Sequence, residues 1–294
     1  MGKWGKNYVK TIEDCAGVRL AAVVQRDQGT LALRGQYSVY GDVDSMLSDE
    51  DLDGVIVASS TSSHYSVTAK ALEKRLAVLV EKPLTTDPET ALDLKKTSKT
   101  HGTVAKVNHI DLTNPAWRAV RRQISVIGPI QQLRGAWLGD GPLRADTPGR
   151  WDYGAHAIAV VLDAMGDEPE AVSAKRIVKR GDEEIIEAQL SWKGGTVATL
   201  QMGNAATKNQ RHLIIEGAKG TLGYDDTKDS KARVNGKILE YSDQSPLNCA
   251  VSEFVDAIRR GESDDDGLEM GVRVVSLLAR LDAAGGFGPV PTPL

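Results

Sequence analysis

The sequence predicts an α/β protein: a parallel sheet wrapped by helices, followed by an α+β domain on an open, mostly antiparallel sheet. Three observations predict it. Up to about residue 109, short apolar runs alternate with amphipathic segments of helical period, the pattern of βαβ units with helices on both faces. Beyond that point, strand-length segments follow one another through short polar or glycine-containing turns, as antiparallel neighbours do. A chain of 294 residues is long enough for two domains, and the change of texture divides it into 1–109 and 110–294.

Taken in order, Lys6–Asp14 reads as a helix, Val18–Val24 as a buried strand, Ser45–Leu47 as part of a short helix and Leu52–Ala58 as a second strand. His64–Lys74 reads as a helix, Leu76–Val80 as a strand, Pro88–His101 as a helix opened by Asp87, and Val104–Val107 as the last strand of the domain. In the second domain Ile130–Leu138, Ala171–Val178, Glu184–Trp192, Thr196–Gly203 and His212–Glu216 read as strands, with a loop over Ala205–Arg211. Trp151–Met165, Asn248–Arg260 and Leu268–Ala284 read as helices.

Apolar residues make up 41% of the chain, enough for a sizeable core, and the formal net charge is −4. No basic excess points to nucleic acid or to an anionic membrane surface. The longest apolar runs, such as Leu76–Val80, fall far short of the roughly 18 residues that a membrane span needs. The opening MGKWGKNYVK has no apolar core of a secretory leader. Cys15 and Cys249 are the only cysteines. They make no disulfide scaffold, and no Cys/His spacing suggests a metal. The expectation is a cytoplasmic protein with no metal site.

Gly2, Lys3, Trp4 and Gly5 open the chain and run directly into a helix. A glycine loop before a helix allows a tight turn and close backbone approach to a pyrophosphate, and the helix N-terminus offers unpaired N–H groups to that anion. Gly2 and Gly5 have the spacing of the last two glycines of GxGxxG. The first glycine and the strand before it are missing, so the expected fold is Rossmann-like without its first strand. That strand lies at the centre of the doubly wound order. A start further upstream, another segment in the gap, or a sheet closed in altered register would each answer its loss. Gln25 and Arg26 follow the strand ending at Val24, where an acidic residue would bind the ribose of NAD and an arginine the 2′-phosphate of NADP. Either cofactor is accommodated, and Arg26 inclines the reading towards NADP.

Val78–Pro83 reads VLVEKP, a buried strand running into Glu81-Lys82-Pro83. This stretch resembles the Glu-Lys-Pro signature of the Gfo/Idh/MocA family, the glucose–fructose oxidoreductase and inositol dehydrogenase group. The resemblance continues in order through GKWGKN, Leu52–His64, Asn114–Val120, the Asp152-Tyr153-Gly154-Ala155-His156 helix, Arg211–Asp226 and Cys249–Gly261. Ser59-Ser60 departs from it, the family usually having Thr-Pro there. The resemblance implies a nicotinamide-dependent oxidoreductase acting on a sugar, sugar derivative or cyclitol. It implies that Lys82 contacts the reacting hydroxyl beside the nicotinamide, that a cis peptide commonly precedes the proline, and that Ser59, Ser60, His64 and Glu81 lie near the cofactor.

The residues themselves support particular roles. An ammonium at a strand's carboxyl end, as at Lys82, can hydrogen-bond a hydroxyl and stabilise a developing alkoxide. Asp152 and His156 are spaced to share one helix face, and an imidazole can take a hydroxyl proton near neutral pH. Asn108 and His109 leave a strand at its carboxyl end, where α/β sheets bind ligands, and are candidates for substrate contact. The family commonly forms dimers or tetramers through the antiparallel sheet, and a homodimer or homotetramer is expected here. A catalytically silent scaffold member and an NAD-dependent glycosidase, with transient oxidation, stand as alternatives.

Overall fold

The computed structural model describes residues 2–25, 37–141, 144, 146–261, 267–288 and 290. The chain divides into two compact units. The first comprises Met1–Thr85, Glu89–Asn108 and Leu247–Val272; the second comprises Thr86–Pro88, His109–Pro246 and Arg273–Leu294.

In the first unit, α1 (Lys3–Glu13) is followed by β1 (Ala22–Val24), β2 (Ser38–Tyr40), α2 (Val43–Asp49), β3 (Gly54–Val57), α3 (Thr61–Glu73), β4 (Ala77–Glu81), α4 (Pro88–His101) and β5 (Ala105–Asn108). All strand pairs are parallel: β1 with β2, and β3–β4–β5 in that order. Among the described residues these are two separate sheets, and no ladder joins β1 to β3. The break falls between the two strands that a first strand would join in a doubly wound order. Closure in altered register, one of the answers to the missing strand, is not seen among the described residues. Every residue of β4 is buried, whereas Gly54, Val55 and Ile56 of β3 are only half-buried, as befits an edge strand.

Helix α1 starts three residues before the predicted Lys6, so Gly5 sits in its first turn instead of a loop. The strand predicted over Val18–Val24 shortens to β1. The α2 N-cap Asp42 accepts from the backbone N–H of Ser45 at 2.8 Å, the side-chain bond that favours Asp at this position. Helix α7 (Pro246–Arg260) packs its Phe254 and Ile258 close to Gly54, where a Cβ would lie 3.2 and 3.1 Å from them, tighter than ordinary contact.

In the second unit, α5 (Pro115–Arg121), β6 (Ile130–Asp140), α6 (Gly149–Met165), β7 (Ala171–Arg180), β8 (Glu183–Ser191), β9 (Val197–Gly203), β10 (Ala205–Gly217), β11 (Gly220–Asp225), β12 (Ala232–Val234) and β13 (Lys237–Ile238) lead towards α8 (Glu269–Gly285). The strands form one sheet in the order β13-β12-β11-β10-β6-β9-β8-β7. Only β6 and β9 pair in parallel; the remaining ladders are antiparallel. Helix α6 packs on the sheet with nearly all its side chains buried, while Ile177, Ile214 and Ile238 stand exposed on the strands. The loop predicted over Ala205–Arg211 is strand, with its register broken between Ala205 and Gln210. The run Lys208-Asn209-Gln210 is polar because it is solvent-exposed. No helix among the described residues is long and apolar enough to cross a membrane.

Candidate active site

The first unit gathers its predicted residues at helix starts and strand ends. Gly2 is the N-cap of α1, in extended conformation. Among the described residues, a side chain at that position would meet no atom within 4 Å, so they leave the backbone open to close approach. Lys3 opens the helix, and Trp4 and Gly5 are half-buried in its first turn. Gln25, just past β1, is buried and donates its backbone N–H to the Tyr40 carbonyl at 2.8 Å. Arg26 lies outside the described residues. Ser59 and Ser60 are exposed after β3; Ser60 is the N-cap of α3, and the Ser59 hydroxyl bonds that of Ser63 at 2.7 Å.

His64 is buried in the first turn of α3, with Nδ1 2.8 Å from the Pro83 carbonyl. A carbonyl only accepts, so Nδ1 donates in the shorter contact and braces the turn that holds Lys82, while Nε2 lies 3.4 Å from the Ser59 carbonyl. Lys82 itself is 9% exposed, and the Lys82–Pro83 peptide is cis. From α1, Tyr8 donates to Glu81 Oε1 at 2.7 Å, and from the end of β5 Asn108 Nδ2 reaches the same oxygen at 2.8 Å and the Tyr8 hydroxyl at 2.6 Å. Burial pushes the Glu81 carboxyl above the usual range, against the opposing pull of Tyr8, Asn108 and Lys82. Burial also raises the Tyr8 phenol, and Glu81 adds to it, so Tyr8 remains a neutral donor. Tyr8 was not singled out in the sequence, where it reads as one more apolar position of α1.

The second unit holds the other predicted residues. His109 is buried where the chain leaves β5. The turn that follows closes with Asn114 as N-cap of α5, its Oδ1 accepting from Ala116 at 3.0 Å and Pro115 occupying the first turn, a favoured helix start. Within that turn lies Asp111, 3% exposed. Its Oδ2 is 2.6 Å from His156 Nδ1 on α6. Tyr224 donates to Asp111 Oδ1 at 3.4 Å. Burial alone would raise the Asp111 carboxyl, but the charge and hydrogen bond of His156, with Arg211 and the Trp137 N–H, carry it below the usual range.

The helical spacing brings Asp152 and His156 onto one helix, but the close partner of the His156 ring is Asp111, 45 residues earlier in the chain. Asp152 faces Arg144 at 3.4 Å. Gly154, between them, has a packing reason: a side chain there would lie 2.8 Å from Leu278 and 3.4 Å from Met202. The start of α6 is anchored by Arg150, whose guanidinium bonds Asp282 at 2.6 Å and Glu184 at 2.9 Å. Asp282 also accepts from the Trp151 indole at 2.8 Å.

Comparison with known proteins accounts for both units. Residues 1–109 match the oxidoreductase family model with an NAD-binding Rossmann fold, and residues 117–223 match the GFO/IDH/MocA C-terminal domain. A solved structure from Magnetospirillum magnetotacticum, provisionally assigned as an oxidoreductase, has 32% identity and a TM-score of 0.88 over 95% of this chain and 96% of that one. The chain belongs to the Gfo/Idh/MocA oxidoreductase family. Other Gfo/Idh/MocA structures share its fold. One is UDP-N-acetylglucosamine 3-dehydrogenase from Acidithiobacillus ferrooxidans, at 22% identity and a TM-score of 0.84 over 97% of this chain and 95% of that one. Among curated relatives, the 2,7-anhydro-N-acetylneuraminate hydratases of Mediterraneibacter gnavus and Escherichia coli are 25 and 23% identical. Both matches cover 76% of this chain but only 65 and 66% of the relatives, under two thirds of their length.

Proposed function

We propose that this Gfo/Idh/MocA protein reversibly oxidises a secondary alcohol of a sugar, sugar derivative or cyclitol. One observation carries the reading: a buried imidazole, His156, bonded through Nδ1 to a carboxylate at 2.6 Å. An ionised carboxylate only accepts, so Nδ1 keeps its proton and Nε2 is left as the basic nitrogen. In this reading His156 takes the hydroxyl proton as the carbon is oxidised, Lys82 polarises the oxygen, and Asp152 orients a second hydroxyl. Asn108 and His109 contribute substrate contacts.

The chain's donors fit a dinucleotide: an uncrowded glycine N-cap at α1, exposed Ser59 and Ser60 beyond β3, and Lys82 and Glu81 where β4 ends. Gly2, Lys3, Trp4, Gly5, Gln25, Arg26, Ser59, Ser60, His64, Glu81 and Lys82 would hold it, with Arg26 favouring NADP over NAD. A bound nicotinamide would supply the hydride acceptor, and the protein supplies position and a place for the proton. The relatives include UDP-N-acetylglucosamine 3-dehydrogenase, D-xylose dehydrogenase and scyllo-inositol 2-dehydrogenase, which supports the substrate class.

Lys82→Ala and His156→Ala should each lower turnover by about a hundredfold or more, the usual size of an acid–base contribution. Near-wild-type turnover in both, on an identified substrate, would end these assignments. The two hydratase relatives favour a second reading, with no net oxidation; product formed without accumulation of reduced cofactor would select it.

A further inference from the structure

We propose that Asp111 is a positioning residue: it fixes the His156 ring with Nδ1 protonated and Nε2 presenting its lone pair, while Tyr224 and Asn114 fix Asp111 in turn. The inference rests on the reading of His156 as the base.

The order of donors along the cluster supports it. Lys231 lies 2.8 Å from Asp226 Oδ1. Asn114 Nδ2, a donor only, reaches Asp226 Oδ1 at 2.9 Å and the Tyr224 hydroxyl at 3.1 Å. The hydroxyl therefore accepts from Asn114 and is left to give its own proton to Asp111 Oδ1, at 3.4 Å. The second carboxylate oxygen of Asp111 is left for His156 Nδ1, at 2.6 Å. Each bond sets the direction of the next, so the imidazole is left with one tautomer.

Packing holds the cluster still. The Tyr224 ring meets Trp117 edge-on, with centroids 5.6 Å apart, and Asp111, Asn114, Tyr224 and His156 are all buried. Four elements bear on the Asp111 carboxylate, α6 through His156, β10 through Arg211, β11 through Tyr224 and β6 through Trp137, while Asn114 acts on it through the Tyr224 hydroxyl.

The test is the tautomer itself, read by nitrogen-15 NMR of histidine-labelled protein without cofactor or substrate. The His156 signals are identified by their loss in His156→Gln. The expected result is a protonated, hydrogen-bonded Nδ1 and an unprotonated Nε2 in the neutral ring. Asp111→Asn offers an amide that can donate, so the proton should move to Nε2. Turnover should then fall about a hundredfold or more with KM changed by less than about threefold. Asp111→Glu, which restores the acceptor, should return at least about a tenth of the lost activity.

A proton on Nε2 in the wild type, or one that stays on Nδ1 in Asp111→Asn, overturns the proposal. Should Asp111→Asn fail to fold, the wild-type spectrum alone decides it. Full turnover in His156→Gln would remove the base and the proposal with it. An inactive His156→Gln with the wrong wild-type tautomer would remove only the part given to Asp111.

Discussion

Glu81 and Asp111 are both buried carboxylates, one in each unit, and their surroundings drive them in opposite directions. Glu81 is met mainly by neutral donors, Tyr8 and Asn108, and burial wins: its carboxyl is raised. Asp111 is met by an imidazole and by Arg211, and its carboxyl is lowered. The depth of burial is similar, so the partners decide the sign. The difference teaches what each carboxylate does. Glu81 ties α1 to the ends of β4 and β5 as a largely dipolar clamp, while Asp111 stays ionised as the acceptor that holds His156 Nδ1.

The ionic character of the second unit is tested hardest at Arg150, which is 6% exposed and holds both Glu184 and Asp282. Arg150→Met should cost about 3–5 kcal/mol, because it leaves Asp282 buried without its counter-charge and Glu184 with Arg176 alone, at 3.1 Å. Urea denaturation measures it, and a loss below about 1 kcal/mol would show that these charges are better solvated than their burial implies.

The contrast between the two carboxylates then appears in pH. The lowered Asp111 contributes stability that is present above its unfolded value of about 3.9. That contribution is lost as pH falls through the lower folded value, and Asp111→Asn should flatten this acid limb. Glu81 has the opposite sign. Its folded value is raised, so stability declines as pH climbs from about 4.3 through the folded value, and Glu81→Gln should remove that decline. Midpoints of urea unfolding across acid and neutral pH, for wild type and both variants, test the pair. Slopes of the same sign would break the comparison.

The smallest effect is expected at Tyr8. Tyr8→Phe removes one donor from Glu81 but leaves the Asn108 bond at 2.8 Å, and should cost about 1 kcal/mol. A loss of several times that would mean that α1 depends on this one hydroxyl.

Legibility in the sequence follows contiguity. Lys82 could be read because its signal is local: a buried apolar strand running straight into Glu-Lys-Pro. His156 could be read because helical spacing set it beside an acidic residue and a glycine. Asp111 could not. Its partner is 45 residues away, and its only local mark is a carboxylate in a short turn before an Asn-Pro helix start. The same holds for Tyr8, 100 residues from Asn108. Among the elements, β10 reads short because its exposed polar stretch has the composition of a loop, and β11 does not read as a strand because its glycines mask the alternation.

The sequence by itself determined the alternation of parallel βαβ units with a later antiparallel sheet, the strand end that presents Lys82 and the helix that carries His156. These depend on period, capping and local breaks, which neighbouring residues encode. Only the tertiary structure decided that the parallel strands form two sheets among the described residues, that Arg144 faces Asp152, and that Asp111 lies against the His156 ring. Those outcomes depend on which distant groups are buried together. In a buried site each donor must find an acceptor, and the order of the chain does not say which one it meets.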